Sequence, residues 1–238
     1  MKILSILVLT AVGYGVYTIN PWSDCVQGAG EPVKKTLAVD AFHGVEIMGS
    51  LDVELTQAPT QSVIVEGQAN VAELLETTVI NGIWTIKTSK CYNTDKPFVV
   101  RITLPTIDRV AVQGSGDVTC KNRFSGDRLD IDVQGSGDVT MTFNGKTVEA
   151  QVQGSGDIKL GGECQEAVLS VQGSGDVKAV ELKSQRAMAT VTGSGDVTIS
   201  VTESLNASVT GSGSVKYKGK PSDVKQNVTG SGDVVEIK

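Results

Sequence analysis

The chain has 238 residues, 27 of them glycine, 4 cysteine and 1 histidine, and its 21 basic and 27 acidic side chains give a net charge of −6. An acidic chain with scattered Lys and Arg lacks the basic footprint of a nucleic-acid binder, and the lone His43 all but excludes metal sites and triads built on imidazole. A hydrophobic content of 39% with 20% charged residues belongs to a globular chain rather than a disordered one.

Residues 1–20 read as an export leader. Met1-Lys2 precedes a ten-residue apolar run, Ile3 to Val12, and small residues at Ala11, Gly13 and Gly15 offer cleavage positions. Retained as an anchor instead, Ile3 to Ile19 supplies 17 mostly apolar residues, against roughly 20 for a bilayer core. Both readings stand, and both export the rest of the chain. Lipidation of Cys25 is disfavoured because Trp22-Ser23-Asp24 lacks the small residue such processing prefers. Residues 21–36, with Pro21, Gly28, Gly30 and Pro32, read as a linker.

From residue 37 to 112 the sequence alternates with period two. Val45–Met48, Leu51–Leu55, Ser62–Glu66, Ile83–Lys87 and Val99–Leu104 are the predicted strands, and Asn70–Glu76 a short helix. Gly49-Ser-Leu-Asp52 looks like a degenerate form of the motif that organises the rest of the chain.

That motif is Gly-Ser-Gly-Asp, beginning at Gly114, Gly135, Gly154, Gly173, Gly193 and Gly230, with Gly-Ser-Gly-Ser at Gly211; the spacings are 21, 19, 19, 20, 18 and 19. Two positions before each first glycine stand Val112, Val133, Val152, Val171, Val191, Val209 and Val228. Directly after each acidic position, or Ser214, come Val118, Val139, Ile158, Val177, Val197, Val215 and Val234. Polar residues fill the alternate places, so each copy is strand, corner, strand. The same apolar positions recur in every copy, as they do when units stack in register and not when strands reverse into hairpins. The expected fold is therefore all-β, a single-chain parallel β-solenoid of about 19-residue coils, right-handed by the usual sense of parallel crossovers. Residues 113–238 supply seven repeat coils, and 37–112 form less regular, wider first coils of the same solenoid. At roughly 1.5–3 kcal/mol per fully buried valine or leucine, seven-deep rows suffice to hold a core that no coil could bury alone. Gln226 and Glu236 replace apolar residues in the last coil, as expected of a polar cap against end-to-end strand addition.

Export permits disulfides. Cys120 and Cys164 fall about two rungs apart, roughly 9–10 Å at the inter-strand spacing, too far for a bridge. Cys25–Cys91 is the pairing that remains open; the alternative is four unpaired thiols.

The run Phe42-His-Gly-Val-Glu-Ile-Met-Gly49, then Leu51-Asp-Val-Glu-Leu-Thr-Gln57, then Ile102-Thr-Leu-Pro105 leading into Gln113-Gly-Ser-Gly-Asp-Val118, resembles the head GIN domain family of auto-transporter adhesin heads. The resemblance spans residues 37–238. It implies an exported β-helical domain with an adhesive role, and brings no catalytic residues with it. No translocating outer-membrane barrel is expected after Lys238.

The corner residues divide into two groups. The glycines, Gly114, Gly116, Gly135, Gly137, Gly154, Gly156, Gly173, Gly175, Gly193, Gly195, Gly211, Gly213, Gly230 and Gly232, are expected to be structural, permitting positive φ and close packing at each bend. The serines between them could stack as a hydroxyl ladder. Asp117, Asp138, Asp157, Asp176, Asp196 and Asp233 form a column of like charges about 4.8 Å apart, where unit charges repel by roughly 1 kcal/mol per pair even in water. Two offsets stand. Each carboxylate accepts N–H groups at its own corner, with Lys159, Lys178 and Lys216 diluting the charge; or the column binds calcium through its oxygens. Ser214 interrupts the column, and the repeat is not the nine-residue calcium roll.

No dinucleotide or phosphate loop is present. A polysaccharide-acting enzyme needs two carboxylates in different environments, whereas these look equivalent. The expected function is thus a non-enzymatic, exported binding or scaffold module of the bacterial envelope, possessing no cofactor unless calcium, with an envelope protein or surface glycan as partner. Membrane contact is expected only through an uncleaved leader. A periplasmic structural or stress-related role and catalysis on polysaccharide are the alternatives.

Overall fold

The computed structural model describes residues 25–238. The leader reading of 1–20 and the first part of the predicted linker lie outside the described residues. Among the described residues, no helix is long and apolar enough to cross a membrane.

The N-terminal section contains β1 (Val26–Gln27), β2 (Pro32–Leu37), β3 (Gly44–Gly49), β4 (Asp52–Gln57), β5 (Ser62–Gln68), α1 (Ala69–Ala72), β6 (Val79–Ile80), β7 (Ile83–Ile86), β8 (Tyr92–Asn93) and β9 (Val99–Leu104). The repeat section contains β10 (Arg109–Gly114), β11 (Val118–Cys120), β12 (Phe124–Gly135), β13 (Val139–Gly154), β14 (Ile158–Gly173), β15 (Val177–Gly193), β16 (Val197–Gly211), β17 (Ser214–Lys218), β18 (Asp223–Gly230) and β19 (Asp233–Ile237).

Every pairing in the repeat section is parallel and joins like to like. Val112 stands beside Val133, Val133 beside Val152, Val152 beside Val171, and so on to Val209 beside Val228. The solenoid predicted from the repeat is thus the observed fold. Within β13 the buried positions are Val139, Met141 and Phe143, then Val148, Ala150 and Val152. Burial changes parity across Asn144–Thr147, so the long strand bends there and each coil has two faces: one leading into Gly-Ser-Gly, one leading out. The apolar rows between the faces are the core, and Trp84, Phe124 and Phe143 are its largest fully buried side chains.

The first coils follow the same plan only in part. β3 lies parallel beside β10 and β4 beside β11, so Gly49-Ser-Leu-Asp52 is a true corner; β7 and β9 extend the two faces one coil further. Beyond them the solenoid reading needs correction. β5 runs antiparallel to β9, and β2 antiparallel to β5. The connection from β4 to β5, residues 58–61, is too short for the crossover that parallel neighbours need, so the chain reverses and β9 later fills the gap between them. β6 and β7 form a hairpin around Asn81-Gly82, both with positive φ (53° and 76°), the combination a two-residue primed turn requires.

Residues 25–36 are not a linker. β2 pairs with β5 along Pro32–Leu37, β1 pairs with β8, and Cys25 is bonded to Cys91 across a Cα separation of 4.7 Å. Val33 and Leu37 stand four positions apart with Lys35 between them on the same face, so β2 shows no period-two apolar pattern, as befits an edge strand. The helix is shorter than predicted because the chain turns to bring Leu75 against Thr88 and the Glu76 N–H to the Lys87 carbonyl. At the other end, Gln226 and Glu236 occupy the inward rows beside Ala207 and Tyr217, and all of β18 is exposed.

Candidate functional site

Each corner begins where a strand ends in a glycine of positive φ, from 134° at Gly114 to 122° at Gly230. In that conformation its carbonyl faces the next coil and accepts two N–H groups. Ser136 and Gly137 both donate to the Gly114 oxygen at 2.9 and 3.0 Å, and the pattern repeats up to Ser231 and Gly232 on Gly211. Gly49 does the same for Ser115 and Gly116, at 2.9 and 3.1 Å. A Cβ on the second glycine of a corner would overlap the carbonyl of its counterpart below, as at Gly175 over Gly156. The structural reading of the glycine pairs rests on this geometry. The serine side chains between them are mostly exposed, and their backbone N–H groups, rather than a ladder of hydroxyls, carry the contact between coils.

The aspartates are joined through the coils rather than within them. Asp138 donates its N–H to Asp117 Oδ1 at 2.9 Å, Asp157 to Asp138 at 2.8 Å, Asp176 to Asp157 at 2.9 Å, and Asp196 to Asp176 at 2.8 Å. Asp52 starts the run by accepting from Asp117 at 3.1 Å, and Ser214 ends it by donating to Asp196 at 2.8 Å. The main chain binds the other way: the Val139 N–H donates to the Asp157 carbonyl at 2.9 Å, and Val118, Ile158 and Val177 do likewise. Asp233, one coil past Ser214, stands outside this run, because Ser214 has no carboxylate to offer. The sequence expectation of bonding at each aspartate's own corner is therefore corrected to bonding with the corner above.

Lysines complete the offset. Lys178 Nζ lies 2.5 Å from Asp157 Oδ2 and 3.4 Å from Asp176 Oδ2, and Lys216 Nζ lies 2.6 Å from Asp196 Oδ2. The hydrogen bond that Lys178 donates to Asp157 raises its pKa above the usual lysine value, against a smaller opposing effect of burial. Lys159, expected to share this role, forms no ion pair among the described residues. The amide-to-carboxylate bonds, charged on one side, are worth roughly 1.5–3 kcal/mol each, more than the roughly 1 kcal/mol repulsion they oppose, and the half-exposed lysine pairs add about 0–1 kcal/mol each. The like-charge column is thus balanced by amides and lysines. Calcium takes six to eight oxygens; among the described residues no group of three or more His, Cys, Asp or Glu is placed to hold a metal ion.

The remaining candidates are dispersed. His43 is half-exposed, with Nδ1 2.8 Å from Asp108 Oδ1. Cys120 and Cys164 are free thiols; burial, with a smaller contribution from the charge of Glu166, pushes Cys164 up to about 11. An ion-pair network that sequence reasoning missed joins Arg101 to Glu54 and Glu66, and Lys121 to Glu54 at 3.0 Å. Its register, with Glu54 beside Arg101 on paired strands, becomes visible only once β4 and β9 are known to be neighbours. What the repeat does bring together is a pair of ruled outer faces, with Gln113, Gln134, Gln153 and Gln172 in one row and Thr192, Thr210 and Thr229 continuing it.

A parallel solenoid with glycine corners and polar ruled faces defines the class, and comparison with known proteins gives the family. The chain belongs to the family described as "Putative auto-transporter adhesin, head GIN domain", whose model matches residues 41–221. Among solved structures it is similar to a putative adhesin from Bacteroides fragilis, with 28% identity, a TM-score of 0.85, and coverage of 89% of this chain and 100% of that one. A putative adhesin from Parabacteroides merdae shares the fold at 23% identity and TM-score 0.73, over 91% of this chain and 100% of its own. So does a protein from Parabacteroides distasonis described as a putative lipid binding protein, at 22% identity and TM-score 0.72, over 90% and 99%. No curated protein matches the chain.

Proposed function

We propose that this protein is an exported, non-enzymatic binding module of the bacterial cell envelope, adhesin-like in its use of a long, rigid, polar face to hold a partner. The observation that carries the reading is the equivalence of the repeated side chains. Five successive carboxylates, from Asp52 to Asp176, each accept the N–H of the next aspartate at 2.8–3.1 Å, whereas acid–base catalysis needs carboxylates in unlike environments. A surface ruled into identical rows suits a repetitive or extended partner, where many weak contacts sum. Family membership and the names of the similar structures support the adhesive part of the reading. Export is supported by the apolar leader and by the Cys25–Cys91 bridge, a bond at home in oxidising compartments.

The test is protease accessibility of the solenoid on intact cells, compared with cells whose outer membrane has been opened. Digestion on intact cells supports the adhesin reading. Protection until opening favours a periplasmic partner, and residence in the cytoplasm would sink the proposal.

A further inference from the structure

The outer face is dented at one glycine. Across β13, β14 and β15 the outward columns read Thr142, Gly161, Glu181 and Asn144, Glu163, Lys183, in register. Where Gly161 stands the column has no side chain, and a groove of about 420 Å³ opens there, with Arg123 from the turn before β12 at its margin. That volume lies within the roughly 300–1,000 Å³ of small-molecule sites.

Gly161 is unlike the corner glycines. Its φ is not positive, and a Cβ there would meet nothing closer than Glu181 Cβ at 3.6 Å and Thr142 Oγ1 at 3.7 Å, ordinary contact distances. Neither backbone conformation nor close approach requires glycine, and glycine weakens a strand relative to alanine. A side chain at this position would do one thing, which is to fill the groove. The lip is also shaped. β15 carries a bulge opposite Lys159–Gly161 and a second irregularity against β16 between Ala179 and Lys183, a feature that re-aims side chains beside sites.

We propose that this groove binds an uncharged, hydroxyl-rich oligosaccharide segment, a reading that rests on the binding-module function above and names its ligand class. Every lining side chain is polar or absent, which disfavours an apolar ligand. Arg123 and Lys183 balance Glu163 and Glu181, so the groove selects neither anions nor cations by net charge. Donors and acceptors alternate instead: Asn144 Oδ1 is held by the Glu163 N–H at 3.1 Å, leaving its NH₂ to donate, while the glutamates accept. Sugar hydroxyls, each donor and acceptor at once, satisfy both. With no aromatic platform in the lining, binding rests on hydrogen bonds alone and is weak.

The experiment titrates the ¹⁵N-labelled full-length chain with maltotetraose, mannotetraose and chitotetraose, and with inorganic phosphate as the charged control. Saturable shifts of the Gly161, Gly162 and Glu163 amides with at least one sugar and not with phosphate are expected, weakened at least tenfold in Gly161→Leu. Glu181→Ala, which leaves the strand backbone unchanged, gives the same reading should the leucine variant fold poorly. If phosphate moves these amides as strongly as any sugar, or no tetrasaccharide moves them at tens of millimolar, the groove proposal is overturned. Absence of these sugar shifts in a protein that is digested on intact cells overturns the groove proposal while leaving the binding-module function standing.

Discussion

Asp157 accepts the backbone N–H of Asp176 on Oδ1 at 2.9 Å and takes the Lys178 ammonium on Oδ2 at 2.5 Å. One carboxylate thus ties the corner above it and is neutralised by a lysine on the same face. Asp157→Ala leaves the Asp176 amide without its partner and is expected to cost about 1–3 kcal/mol. Asp157→Asn keeps an acceptor oxygen and should cost less than about 1 kcal/mol by the same reasoning. Urea unfolding of both variants checks this; equal losses would mean that charge, rather than the hydrogen bond, holds the corner.

Lys178 spans Asp157 and Asp176, and half of its side chain is exposed. Lys178→Ala should lower stability by about 0–1 kcal/mol at low salt, and by less in 1 M NaCl, where the exposed carboxylates are screened from one another. The pKa of Lys178 is raised in the fold, so its contribution is complete below the usual lysine value of 10.5 and fades as pH rises through the folded value. Thermal melts at two salt concentrations, at pH 7 and pH 11, measure both effects. A variant with the wild-type salt dependence would remove the lysine from the account.

The regular coils were legible because a repeat writes its contacts into the spacing. Val112, Val133 and Val152 could be placed side by side from sequence alone, and the Gly49-Ser-Leu-Asp52 corner could be recognised through its degeneracy. The N-terminal closure was not legible for the opposite reason. β2 and β5 meet only through an antiparallel pairing between Pro32–Leu37 and Ser62–Gln68, which no period announces, and β2 carries charges typical of an edge. The Asn81-Gly82 turn was a usable signal between two apolar pairs. For the site, the aspartate column was visible but the direction of its hydrogen bonds was not, because donation to the next coil depends on the offset between corners. Gly161 was hidden among 27 glycines, and only the structure separates a glycine that must be one from a glycine that leaves space.

That separation is itself testable. Gly175→Ala places a methyl group against the Gly156 carbonyl, with Val152 Cγ1 at 2.9 Å as a further neighbour. The clash is with backbone shared by every coil, so a loss of at least about 3 kcal/mol is expected, at the upper end for single substitutions. Gly161→Ala meets nothing closer than 3.6 Å and should be neutral or stabilising by about 0.4–1 kcal/mol. Chemical denaturation of the two variants side by side decides it, and similar losses at both positions would contradict the geometry.

Calcium is expected to leave the melting temperature unchanged at millimolar concentration. From Asp52 to Asp196 the ladder's Oδ1 atoms already accept amides, and the Oδ2 atoms of Asp157, Asp176 and Asp196 face lysines. A specific site filled at one hundred times its Kd would add about 2.7 kcal/mol, easily seen by calorimetry. A rise of several degrees with calcium but not with magnesium would restore the metal reading of the column.

Cys164 gives the fold an alkaline limit. Its thiol is buried and held up to about 11, against an ordinary value of 9.0, first by burial and then by the charge of Glu166. Between those values the unfolded chain loses this proton while the folded chain keeps it, so stability falls as pH rises from 9 towards 11. Holding the thiol that far above its ordinary value corresponds to about 1–3 kcal/mol. Cys164→Ala removes the titrating group, leaving a small cavity that lowers stability by a similar amount at every pH. The variant should therefore start below the wild type at pH 8 and lose less than it between pH 9 and 11, in urea unfolding followed at half-unit intervals. Alkylation gives a second view: at pH 8 Cys120, which is only half-buried, should react before Cys164. Parallel stability curves for the two proteins, or faster labelling of Cys164, would show that the inner wall of β14 is open to solvent.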